Sequence, residues 1–151
     1  MVFLQGTKEI DDVREALMRT ELGRDAEQRE WVLPLHGSLP SQEQARVFER
    51  PPKGMRKVVL TTNVAETSVT VEDVVSVVDS GKMREMGFDP ARGLASLQEA
   101  WVSQAAAMQR RGRAGRVRPG TCYRLFSRAT FRNLAKYQSP EISRVPLDML
   151  C

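Results

Sequence analysis

The chain has 151 residues, of which 41% are hydrophobic and 28% charged, enough for one domain with a buried core. It contains no apolar run of about 18 residues, and its opening segment MVFLQGTKEI has neither a basic n-region nor an apolar h-region. Neither a membrane-spanning helix nor an export signal is expected. The formal net charge of +4 suits a partner that carries phosphates without requiring one.

In chain order, Val2 to Leu4 is a short apolar run ending at Gly6, which predicts a buried strand. Thr7 is placed to cap a helix on which Ile10, Val13 and Leu17 recur at helical spacing, through about Leu22. Gly23 to Glu30 is polar and reads as a loop, and Trp31 to Leu35 as the next strand, ended by Gly37. Pro40 suits the first turn of a second helix that carries Ala45, Val47 and Phe48. After a turn at 51–56, Lys57 to Thr61 and Val74 to Val78 are two further strands. Such continuous β-branched runs suit a parallel sheet covered on both faces.

Beyond Gly81 the pattern changes. Residues 82–88 and 94–102 flank Asp89-Pro90-Ala91-Arg92-Gly93, which predicts a β-hairpin turned by Pro90 and Gly93. Ser103 is placed to cap an alanine-rich helix running to about Arg113. Thr121 to Phe126 reads as a strand, and Ser127 as the cap of a helix to about Lys136. The tail, 138–151, carries Pro140 and Pro146 and reads as a connector.

Metal chemistry has little to work with. Cys122 and Cys151 are far apart and His36 is the one histidine, so no metal site is expected. Reduced cysteines without an export signal point to the cytoplasm or the nucleus.

The densest chemistry lies in Gln109-Arg110-Arg111-Gly112-Arg113-Ala114-Gly115-Arg116. If the helix continued, Arg113 and Arg116 at i and i+3 would project from one face. Gly112 and Gly115 would let a large ligand approach the backbone. Forked, permanently charged guanidiniums suit a triphosphate and can stabilise transition-state charge without proton transfer. A basic loop gripping nucleic acid backbone fits the same residues equally well.

This segment resembles motif VI, QRxGRxGR, of superfamily 2 helicases. The resemblance implies that Arg113 and Arg116 are arginine fingers for the γ-phosphate, with Gln109 and Gly112 beside them; it leaves the role of Arg110 open. Thr61-Thr62-Asn63-Val64-Ala65-Glu66-Thr67-Ser68-Val69-Thr70-Val71-Glu72 resembles motif V of the DEAH/RHA group, with valine at three positions where isoleucine or leucine is usual. It implies that Thr61, Thr62 and Asn63 face RNA, that Thr67, Ser68 and Thr70 link the RNA side to the nucleotide, and that Glu72 lies near the ribose. Without the resemblance, the segment reads as a hydroxyl-rich turn after a strand.

Two weaker segments agree. Phe3-Leu4-Gln5-Gly6-Thr7-Lys8-Glu9-Ile10 resembles motif IV and implies that Gly6 meets RNA. Leu35-His36-Gly37-Ser38-Leu39-Pro40, with Gln44 and Phe48 after it, resembles the next conserved block. It implies an RNA contact at Ser38 and adenine stacking by Phe48, for which core packing is an equal alternative. His36 reads as a strand-end residue without a catalytic part. Pro140-Glu141-Ile142-Ser143-Arg144-Val145-Pro146-Leu147 resembles the group's lead-in to a winged-helix domain.

The resemblance thus covers nearly the whole chain. It implies an α/β fold: a RecA-like parallel sheet sandwiched by helices, with a projecting β-hairpin at about 82–102. Residues 1–137 would be the second RecA-like domain of an ATP-dependent RNA helicase moving 3′ to 5′, and 138–151 the connector. No GxxxxGK[ST] segment and no Asp-Glu-x-His occur, so half of an ATP site is missing. The expectation is that this chain alone does not hydrolyse ATP, and that Mg²⁺ ligands sit on a first RecA-like domain. The expected partners are RNA, that first domain and a winged-helix domain, with no membrane. The rival reading is a module that binds RNA or a protein and catalyses nothing.

Overall fold

The computed structural model describes residues 1–66, 70–89 and 94–140. Five strands form one parallel sheet: β1 (Val2–Phe3), β2 (Val32–Leu35), β3 (Val58–Thr61), β4 (Ser76–Asp79) and β7 (Thr121–Arg124), in the spatial order β2-β3-β1-β4-β7. β5 (Lys82–Asp89) and β6 (Leu94–Trp101) form an antiparallel hairpin of their own. The hairpin turn, at 90–93, lies outside the described residues, as do Thr67, Ser68 and 141–151.

Alternate residues of a strand face opposite sides of the sheet, and both sides are covered. Phe3, Leu33, Leu35, Val59 and Val77 pack with Val47, Ala65, Val71 and Val74. On the other side Leu4, Val32 and Leu60 pack with Ile10 of α1 (Thr7–Met18), supported by Val13 and Leu17. Leu60 and Ile10 are fully buried, each stabilising the fold by about 1.5–3 kcal/mol relative to exposure. Pro34 fits β2 because that strand lies on the sheet edge, where the missing N–H leaves no partner unsatisfied. A third cluster, Met83, Val102, Ala106, Ala107 and Leu134, joins the hairpin base to helix α4 (Gln104–Arg111).

Local boundaries differ from the sequence reading in instructive ways. Gly6 rather than Thr7 is the N-cap of α1, and the helix stops at Met18, followed by a 3₁₀ turn at Glu21–Gly23. The expected loop after Gly23 contains a short helix, α2 (Ala26–Arg29), because the Asp25 carboxylate accepts from the Glu27 and Gln28 amides. The helix after Pro40 is brief: α3 (Ser41–Ala45) passes into a 3₁₀ turn at Arg46–Phe48. α5 (Arg128–Asn133) begins at the expected Ser127 cap but ends short of Lys136. Residues beyond it are used elsewhere: the carbonyls of Ala135 and Lys136 accept from the Gln104 and Ala105 amides at 2.8 and 3.1 Å, satisfying the start of α4.

Candidate functional site

The parallel register aligns the carboxyl ends of the strands in one row: Leu35, Thr61, Phe3, Asp79 and Arg124. Ligands of open α/β sheets bind along such an edge. Ser38, Thr62, Asn63 and Gly6 follow the ends of β2, β3 and β1, three adjacent strands. The structure does not expose them equally. Asn63 and Ser38 are exposed and Thr62 is half-buried. The Ser38 hydroxyl is 2.8 Å from His36 Nδ1, so His36 orients a neighbour at the strand end. Thr61 is wholly buried and its hydroxyl donates to the Thr62 carbonyl at 3.0 Å. The Thr61 side chain therefore belongs to the core, not to an RNA-facing surface. Gly6 is buried as well, beneath an ion pair between Glu9 and Arg84 at 3.1 Å. A Cβ on Gly6 would stand 2.9 Å from Glu9 Oε2 and 3.1 Å from Arg84 Nε. A side chain there would have to displace the ends of these two flexible side chains.

The arginine segment departs from a continuous helix. Ser103 caps α4 through the Ala106 amide, and Ala106, Ala107 and Arg110 form its buried face. The helix ends at Arg111, two residues earlier than expected, with Gly112 as C-cap. Gly115 then takes φ +92°, a left-handed conformation that breaks any helical turn joining Arg113 to Arg116. The two arginines consequently do not share a helical face. Arg113 is tucked in, 6% exposed, and Arg116 is exposed. Burial and the neighbouring Arg116 charge lower the Arg113 pKa, and Glu66 opposes them; a guanidinium remains charged at neutral pH all the same. Arg116 Nη1 donates to Thr70 Oγ1 at 2.7 Å, drawing together two of the residues singled out from motifs VI and V. Gln109 and Gly112 are exposed beside them.

Arg110, whose role the motif left open, is completely buried. Its Nε donates to Glu66 Oε1 at 2.6 Å, and its Nη1 to Asp79 Oδ1 at 2.9 Å and the Lys82 carbonyl at 3.2 Å. The guanidinium also lies 4.9 Å from the Phe3 ring centroid. Asp79, equally buried, accepts from the Gly81 amide at 2.9 Å. One side chain thus ties the arginine helix to the 3₁₀ turn at Asn63–Glu66, to the end of β4 and to the start of the hairpin. Arg110 Nη2 and Asp79 Oδ2 have no hydrogen-bond partner among the described residues. A buried charge requires partners of this kind. Spacing alone could have suggested it, because Arg110 lies at i+3 from the buried Ala107, but only the long-range partners identify its function.

The hairpin base is tethered in turn. Lys82 bonds Glu99 at 2.9 Å and lies 4.0 Å from the Trp101 ring centroid, while Gln5 donates to Glu99 at 3.2 Å. Gln138 bonds Glu85, fixing the start of the tail to the hairpin. Phe48 is 54% exposed, which removes core packing as its explanation. Glu72 is exposed and lines a groove with Arg50, Lys57 and Arg118. Among the described residues no group of three or more His, Cys, Asp or Glu is placed to hold a metal ion, and no helix is long and apolar enough to cross a membrane.

A five-stranded parallel sheet flanked by helices, with an antiparallel hairpin beside it, is the RecA-like helicase fold. Residues 1–118 match the family described as helicase conserved C-terminal domain, and the chain belongs to that family, in its DExH/DEAH branch. The chain is 52% identical over 152 residues to the chloroplastic DExH-box ATP-dependent RNA helicase DExH4 of Arabidopsis thaliana. It is 48% identical over 153 residues to the putative ATP-dependent RNA helicase DHX57 of Homo sapiens. Each alignment covers all of this chain and 11% of the relative, so the chain spans about a tenth of their length. The crystal structure of the E. coli DExH-box NTPase HrpB superposes with a TM-score of 0.84 at 41% identity, covering 99% of this chain and 18% of that one.

Proposed function

We propose that residues 1–137 act as the second motor domain of an ATP-dependent RNA helicase, with 138–151 leading toward a winged-helix domain. ATP would bind between this domain and a first RecA-like domain that supplies the phosphate loop and the Mg²⁺ ligands. Arg113 and Arg116 stabilise charge on the γ-phosphate, and Gln109 and Gly112 shape the approach. Phe48 stacks on the adenine, Glu72 meets the ribose, and Thr67, Ser68 and Thr70 connect to the RNA side. Thr62, Asn63 and Ser38 hold the RNA backbone, with Thr61 at the end of β3 and Gly6 at the N-cap of α1 beside them. Cycles of closure move the domain 3′ to 5′ along the strand.

The observation that carries this reading is the Arg116–Thr70 hydrogen bond at 2.7 Å, which sets the finger segment against the segment that follows β3. Arginine does not titrate near neutral pH, so its contribution is electrostatic positioning. In the full-length protein, Arg113→Ala is expected to lower RNA-stimulated ATP turnover about 10³-fold or more while RNA affinity stays nearly intact. Equal losses of both would move the arginine to the RNA side. The chain alone is expected to be inactive as an ATPase. RNA-stimulated hydrolysis by the purified chain, abolished by Arg116→Ala, would overturn that.

A further inference from the structure

We infer that Arg111, Arg124 and Arg128 form a second phosphate site, one that takes the backbone of a single RNA strand. The inference rests on the RNA-binding reading above. The three come from separate elements, the last residue of α4, the carboxyl end of β7 and the first residue of α5, and all line one open cavity of about 270 Å³. Arg113, Arg116, Thr62 and Asn63 do not line it.

Three features identify an anion. No carboxylate lines the cavity, and none of the three arginines forms an ion pair among the described residues. Three arginines lining one cavity with no carboxylate beside them there leave a positive field that an anion would offset. The site is also partly preorganised. The Arg124 guanidinium carbon lies 4.2 Å from the Phe131 ring centroid and 5.9 Å from that of Phe126. This stacking fixes the guanidinium while leaving its edge donors available. Their one described contact is a weak one, Nη2 to Met108 Sδ at 3.6 Å.

Size and position favour a strand. The cavity is open to solvent, so it suits a phosphate on a chain passing across it. Arg124 stands in the same carboxyl-end row as Asp79, Phe3 and Thr61, and Thr62 and Asn63 leave that row from β3. β7 is three strands from β3 in the sheet order, a distance of roughly 14 Å at the usual strand spacing. A strand with about 3.4 Å between stacked nucleotides covers that in about four nucleotides. One strand along the edge can therefore meet both sites.

The test is binding of a 12-nucleotide oligouridylate to the chain, followed by fluorescence anisotropy across a salt series. The triple variant Arg111→Gln/Arg124→Gln/Arg128→Gln is expected to bind about ten- to a hundredfold more weakly at 0.1 M salt. Its slope of log K against log salt should flatten by about 2, from three lost phosphate contacts at about 0.7 each. The corresponding triple lysine variant should keep the slope. If the glutamine triple fails the circular dichroism check for folding, the exposed pair Arg111→Gln/Arg128→Gln decides, with an expected flattening of about 1.4. An unchanged slope in a variant of a chain that does bind RNA overturns this site and leaves the helicase reading standing. Absence of RNA binding by the wild-type chain overturns both the site and the RNA half of that reading. A 12-residue polyglutamate bound more tightly than RNA and lost with the same arginines would make this a protein-docking site and overturn the inference. Pyrophosphate bound as tightly as the oligonucleotide and lost with the same variant would make it a free-phosphate site, with the same consequence.

Discussion

Replacing Arg110 with methionine should unsettle the domain more than any other arginine substitution. The substitution keeps much of the side chain's length but removes the guanidinium from between two carboxylates. Asp79 has no exposure and Glu66 little, so neither carboxylate gains free access to water. Removing one partner of a buried ion pair costs about 3–5 kcal/mol, a large part of the roughly 5–15 kcal/mol that holds a domain together. At about 2–4 °C per kcal/mol for a chain of this size, the melting temperature should fall by roughly 6–20 °C. Urea unfolding at pH 7 reads the loss directly. The double variant Arg110→Met/Asp79→Asn should be less destabilised than the sum of its parts, because the aspartate no longer brings an unpaired charge. A loss below about 1 kcal/mol for Arg110→Met, or strict additivity in the double variant, would refute the idea that this arginine anchors the helix.

Three further outcomes are expected. Gly115→Ala forces a Cβ into φ +92° and should cost about 1–2 kcal/mol in urea unfolding, while lowering ATP turnover of the full-length protein through displacement of Arg116; an unchanged stability would show that the loop relaxes at no cost. Phe48→Ala, at an exposed position, should alter stability by no more than about 0.5 kcal/mol yet weaken nucleotide binding of the full-length protein, and a core-sized loss of stability would return Phe48 to a packing role. Burial, aided by Asp79, raises the Cys122 thiol pKa. The folded state then favours the neutral thiol, so its contribution is complete below the unfolded thiol pKa and is lost as pH rises through the folded one. Urea unfolding from pH 7 to 10 should show a decline that Cys122→Ala removes, and identical declines in both proteins would contradict it.

The sheet was legible because its strands advertise themselves. Val58, Val59 and Leu60 form an uninterrupted apolar run, and in a parallel sheet both faces of such a run are covered. The hairpin strands and the serine caps at Ser103 and Ser127 were legible for similarly local reasons. What stayed hidden depends on distant partners or on a single backbone angle. Helical spacing put Arg113 and Arg116 on one face, but the left-handed Gly115 cancels that periodicity. Thr61 and Thr62 look alike in sequence, yet the first ends β3 inside the covered sheet and is buried, while the second lies just beyond the strand and is half-buried. Phe48 follows Val47 in an apolar pair, and only the short 3₁₀ turn decides which of the two enters the core. Arg110 and Arg111 are adjacent and chemically identical. The acids that claim Arg110 stand 44 and 31 residues away in the chain, a separation no local pattern encodes.

The hairpin has a mechanical consequence. Each of its strands runs for eight residues from a base held by Arg110, Glu9 and Gln5. At about 3.4 Å per residue it is a lever arm of roughly 27 Å. A turn of the base by about 5° sweeps the far end of the strands through roughly 2 Å on that length. Because the base is clamped to the arginine helix and to α1, a small rotation of the domain body is multiplied at the hairpin's far end instead of being absorbed at its root.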